Sequence, residues 1–99
     1  MARDYYRVAG VPGYLMSVQA DILHALTTVV VVPLEALKDA LPTMGRLNPI
    51  IEIGEERFVM VTQAITAVSK RELGESLGKI GHDKHIEITQ ALDMLFSGY

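Results

Sequence analysis

The apolar residues of this chain fall in short extended blocks over its first half and take up a helical period only near its end. Tyr5, Tyr6 and Val8 suit a short first strand, because aromatic and β-branched side chains fit a pleated surface. Gly10-Val11-Pro12-Gly13 interrupts the pattern as a turn or mobile loop, and Tyr14 to Gln19 resumes it. Val29-Val30-Val31-Val32 is the clearest strand, since a run of β-branched residues resists a helix and suits a strand covered on both faces. Pro33 has no amide hydrogen for a ladder, so the strand is expected to end there or to reach an edge. Leu34, Leu37, Lys38 and Leu41 stand at helical spacing, which predicts a short helix stopped by Pro42, followed by a loop from Thr43 to Asn48.

Ile50 to Ile53, then Gly54-Glu55-Glu56, then Arg57 to Thr62 reads as a β-hairpin, with glycine allowing a tight link between two apolar runs. Ala64 to Gly81 is ambiguous, and its Gly74, Gly78 and Gly81 argue against one continuous helix. Ile88, Ala91, Leu92 and Leu95 then follow the i, i+3, i+4, i+7 pattern of a helix face. Asp83 is its expected N-cap and Gly98 its stop signal. Together these elements predict the α+β class: an antiparallel β-barrel or curled sheet with one C-terminal helix.

Composition narrows the picture. At 99 residues, one domain spanning 1–99 with one modest core is expected. The absence of cysteine rules out a disulfide framework and thiolate metal sites. The chain is 49% hydrophobic, apolar for its size, and a homodimer interface is one place to cover the surplus; a core rich in Val, Leu and Ile is the other. A net charge of −3 and scattered basic residues, with only Lys70-Arg71 adjacent, disfavour direct nucleic-acid binding. The most apolar stretch, Val29 to Leu34, is far short of the ~20 residues of a spanning helix, and the N-terminal Met1 to Arg7 lacks the apolar block of a signal peptide. No membrane association and a cytoplasmic location are therefore expected.

Candidate chemistry is sparse. His82-Asp83-Lys84-His85 carries metal-ligating residue types, but at a helix start these read as capping and surface residues, so no metal and no cofactor is expected. Glu52, Glu55 and Glu56 flank a hairpin turn and read as a solvated, solubilising turn rather than an acid–base pair. Met16, Met44, Met60 and Met94 read as core or interface filler. The C-terminal Tyr99 sits at a helix tip, where an exposed aromatic can act as a binding probe.

Several segments carry a resemblance. Val18-Gln19-Ala20-Asp21-Ile22 resembles the Val-Gln-Ser-Asp-Ile segment of CcdB toxins, and Val31-Val32-Pro33-Leu34 resembles their Val-Ile-Pro-Leu at the same spacing. Ile53-Gly54-Glu55-Glu56 is similar to the family's Ile-Gly-Asp-Glu turn; Phe58, Thr62 and Gly74-Glu75 fall in step. Ala91 to Tyr99 is similar to the family's terminal Ala-Ile-Asn-Leu-Met-Phe-Trp-Gly-Ile. The resemblance covers about residues 14 to 99 and is poor over the first dozen.

What the resemblance implies is specific. CcdB toxins have an SH3-like antiparallel β-barrel with a small accessory sheet and a C-terminal helix, and they act as homodimers. They are not enzymes. They enter the gyrase A dimer and trap DNA gyrase on cleaved DNA, and a partly disordered CcdA antitoxin neutralises them; the pair represses its own operon. The family's gyrase contact maps onto Ser97, Gly98 and Tyr99, its dimer contact onto Met94, Leu95 and Phe96, and its mobile antitoxin-recognition loop onto Gly10, Val11, Pro12 and Gly13. Gly98 matches, but Ser97 stands where the family has a Trp that stacks on a gyrase arginine. Serine has no stacking face, a contact worth about 0.5–2 kcal/mol. Tyr99 offers a ring two positions on, yet each helical step turns a side chain by about 100°.

Three readings of Ser97 stay open: a poison that works through Tyr99, a toxin with a weakened or different topoisomerase target, and a non-toxic relative that keeps the dimer and the antitoxin. A rival from another class shares the barrel: the MazF-like endoribonucleases, which need a base, an acid and a cation at the cleaved phosphate. Here His24, Asp21 and Arg46 are the candidates, with no motif uniting them.

Overall fold

The computed structural model describes residues 3–19, 26–40 and 45–98. Its strands are β1 (Asp4–Tyr6), β2 (Tyr14–Ser17), β3 (Thr28–Ala36), β4 (Ile50–Ile53), β5 (Glu56–Met60), β6 (Thr66–Ser69) and β7 (Gly78–Lys79), and its helix is α1 (His85–Ser97). All pairings are antiparallel, along the path β4-β5-β3-β2-β1-β7 with β6 also beside β3. The fold is the expected one, a curled antiparallel half-barrel closed by a C-terminal helix. The β4–β5 hairpin joins the sheet through Leu34 to Ala36 of β3.

β3 organises the sheet. Its odd positions Val29 and Val31 pack with Leu15 and Leu73 on one face. Its even positions Val32 and Leu34 pack with Met16, Met60 and Ile88 on the other. Successive side chains of a strand point to opposite faces, so a valine run has both faces to fill, and both are filled.

Pro33 does not end this strand. Val61 N–H donates to the Pro33 carbonyl at 2.9 Å. The N and C=O groups of one strand residue face the same neighbour. The missing amide hydrogen therefore points into the gap where β3 exchanges one partner for another: β6 pairs with residues 28–31 and β5 with residues 34–36. A proline costs no ladder bond at that position.

The short helix expected over Leu34 to Leu41 is corrected by the same arrangement. Leu34 is fully buried in β3, opposite Tyr14 on one side and Met60 on the other, and only Leu37–Asp39 turn, as a single 3-10 turn. Partners distant in sequence outweigh the local helical spacing. Leu41, Pro42 and Met44 lie outside the described residues.

α1 presents Ile88 and Ala91, both fully buried, to the second face, with half-buried Leu92 beside them. Asp83 is not its N-cap. A 3-10 turn over His82–Lys84 leads straight into the helix, Lys84 holds the flanking position without a side-chain cap, and the Asp83 carboxylate folds back over Gly81 instead. Glu87 in the first helical turn meets Lys84 at 3.6 Å. The first-face cluster is sealed by Tyr6, Val8, Val11 and Val68. Burial, and behind it the Asp4 carboxylate, push the Tyr6 phenol above its usual value. Met16 and Met60 are core residues, whereas Met94 is half-buried.

Ile88, fully buried, joins the helix to the core under the sheet. Ile88→Ala is expected to cost about 2–5 kcal/mol, read as a lowered urea midpoint with an unchanged slope.

Candidate functional site

The end of α1 runs past the core that its first turns cover. Met94 and Leu95 are half-buried, Phe96 is 71% exposed, and Ser97 and Gly98 are exposed. Gly98 closes the helix in a left-handed conformation, φ 78°, with its N–H on the Met94 carbonyl at 2.9 Å. A side chain there is disfavoured, so the stop signal is a conformational requirement. The expected target residues Ser97 and Gly98 and the expected dimer residues Met94, Leu95 and Phe96 thus share one projecting turn, while Tyr99 lies outside the described residues. Ile86, 68% exposed, adds an apolar side chain at the other end of the helix.

The Gly10–Gly13 loop divides into anchors and outward residues. Val11 N–H donates to the Val8 carbonyl at 3.1 Å, and the Val11 side chain packs on the first-face cluster. A β-carbon at Gly13 would overlap the Leu34 carbonyl oxygen. Gly10 and Pro12 are exposed. Immediately after the loop, Tyr14 meets Tyr5 and Phe58 edge-to-face with centroids 5.3 and 5.1 Å apart, and Arg7 lies 4.5 Å over its ring. Both ends of the loop are therefore fixed, and its middle presents little more than a proline ring and backbone.

A third surface was not evident from the sequence. Arg46 stands on a 3-10 turn, Gly45–Leu47, that packs beside α1. A buried polar network holds this turn. Asn48 Nδ2 donates to the Met60 carbonyl at 3.0 Å and to Gln63 Oε1 at 2.7 Å, and the hydroxyl of fully buried Thr62 donates to the Leu47 carbonyl. Gly45, Arg46, Pro49, Glu87 and Gln90 line a cleft of about 340 Å³ between turn and helix. Its walls come from segments remote in sequence. The only local hint was Glu87 and Gln90, three apart on one helix face.

Of the ribonuclease candidates only Arg46 lies among the described residues, exposed at the cleft; Asp21 and His24 lie outside them. Glu52, Glu55 and Glu56 are exposed around the hairpin turn. Among the described residues no group of three or more His, Cys, Asp or Glu is placed to hold a metal ion. Among the described residues, no helix is long and apolar enough to cross a membrane.

A family model described as "CcdB protein" matches residues 4–98. Toxins and endoribonucleases are among the solved structures with similar folds. Mycobacterium tuberculosis toxin MazF-mt6 matches with a TM-score of 0.76 at 12% identity, over 95% of this chain and 96% of that one. An endoribonuclease in complex with its cognate antitoxin, from mycobacterial species, matches with a TM-score of 0.73 at 18% identity, over 95% and 89% of the two chains. A further Mtb toxin matches with a TM-score of 0.74 at 14% identity, over 93% and 99%. At these identities the likeness is one of fold.

The loop geometry separates its residues by role. Gly13→Ala forces a β-carbon onto the Leu34 carbonyl and is expected to destabilise the protein by about 2 kcal/mol or more. Pro12→Ala is expected to stay within about 0.5 kcal/mol. Paired urea denaturation curves of the two variants provide the check.

Proposed function

The chain belongs to the CcdB family, and from that membership we propose that it is the toxin of a CcdB–CcdA-type pair, acting without catalysis as a homodimer that binds gyrase A and traps DNA gyrase on cleaved DNA in the cytoplasm. The observation that carries this reading is the end of α1. The family match runs to Gly98, and the last helical turn stands clear of the core with Phe96 71% exposed. Such a turn can enter a partner without disturbing the fold. Ser97 removes the family's indole, so the aromatic contact passes to Tyr99, and Met94, Leu95 and Phe96 close the dimer around the same turn. The Gly10–Gly13 loop takes part in antitoxin recognition through its outward residues.

A MazF-like ribonuclease is the second reading, favoured by the fold of the solved structures alone. It is disfavoured by a net charge of −3, which repels a polyanion.

Inducible expression in a bacterial host tests the proposal. The full chain is expected to arrest growth, and a chain lacking Ser97 to Tyr99 is not. The shortened chain should remain folded and dimeric by circular dichroism and light scattering, since Ser97 and Gly98 are exposed and their removal costs about 1 kcal/mol or less. A shortened chain that is equally toxic removes the tail as the target contact. Cleavage of single-stranded RNA by the purified protein would establish the ribonuclease reading instead.

A further inference from the structure

We propose that the cleft between the Gly45–Pro49 segment and α1 receives an acidic side chain, flanked by an apolar one, from a segment of the antitoxin, with Arg46 as the carboxylate receptor. Only the partner's name rests on the toxin–antitoxin reading; the chemistry of the cleft does not.

Arg46 is exposed and forms no ion pair with the described residues. Its turn is held on the C-terminal side by hydrogen bonds. Asn48, 5% exposed, and Thr62, fully buried, spend their polar groups on the Leu47 and Met60 carbonyls and on Gln63, and Met60 N–H closes on the Pro49 carbonyl at 3.0 Å. A guanidinium on a rigid support loses less entropy when it binds a carboxylate, and its planar fork matches that group.

The cleft also selects among anions. Pro49 supplies an apolar wall and Gln90 an amide that can donate to the same ligand. Glu87 stands on the opposite wall, tied at 3.6 Å to Lys84. One cation facing one carboxylate accommodates a single negative charge beside an apolar group. The net charge of −3 disfavours the dense charge of a nucleic-acid backbone. A volume of about 340 Å³ is at the small end of ligand pockets and suits one or two side chains, not a nucleotide chain. Charge complementarity therefore points to a peptide with Asp or Glu next to Leu, Ile or Val.

The test is a titration of the full 15N-labelled chain followed by NMR. The probes are acetyl-Leu-Asp-Leu-amide, the matching Leu-Asn-Leu peptide, and hexauridylate as the nucleic-acid control. The Asp peptide is expected to shift the amides of Gly45, Arg46 and Gln90 and the Arg46 Nε–H. The Asn peptide, and the Asp peptide on Arg46→Gln, should each bind about tenfold more weakly. Equal binding of the two peptides, or Arg46→Gln binding the Asp peptide unchanged, overturns the proposal. Hexauridylate saturating these resonances more tightly than the Asp peptide also overturns it, in favour of a nucleic-acid groove. A chain that fails to arrest growth yet binds the Asp peptide through Arg46 keeps the cleft assignment and rejects the toxin reading, so the two failures are separable.

Discussion

β3 has to satisfy two faces and three neighbouring strands at once, and the rest of the molecule is arranged around that demand. Its alternating valines and leucine feed two apolar clusters on opposite sides of the sheet. One cluster requires α1 as a cover. The other is covered by the Val8–Val11 turn, Leu73 and Val68, so the Gly10–Gly13 loop cannot move freely without exposing it. Along one edge β3 carries β2, and along the other it carries first β6 and then β5. Pro33 falls at the changeover, where an absent donor is harmless. The β4–β5 hairpin thereby reaches the sheet, and the chain that precedes it brings Arg46 against the helix.

α1 then serves two surfaces. Ile88 and Ala91 hold it to the core, and its exposed sides remain available. Glu87 and Gln90, near its start, form a wall of the Arg46 cleft. Phe96, Ser97 and Gly98 form its projecting end. On the proposed reading, the target contact and one antitoxin contact lie on a single rigid element.

Much of this was legible in the sequence, for physical reasons that differ by element. The valine run, the hairpin about Gly54-Glu55 and the amphipathic face of α1 are local patterns, and local patterns survive into the fold. Gly98 was legible because a left-handed residue at a helix end almost requires glycine. Leu34 to Ala36 was misread because its partner β5 lies far along the chain, and pairing at a distance leaves no local signature. Asp83 carried the right residue type for a cap, but the extra turn at His82–Lys84 moved the helix start past it. The cleft was invisible because its walls meet only after β3, β5 and α1 have packed, and the polar network of Asn48 and Thr62 that fixes it has no spacing rule. The tail residues were placed by resemblance to a family, and the structure adds that Phe96, Ser97 and Gly98 are exposed.

On the proposed function, this helix end poisons gyrase. Cleavage of supercoiled DNA by purified gyrase and ATP in the presence of the purified chain tests this. A poison leaves linear DNA trapped in covalent complex, and Tyr99→Ala should remove most of that product while the protein stays folded. No linear product from a folded, dimeric chain would contradict the claim and leave a family member with another target.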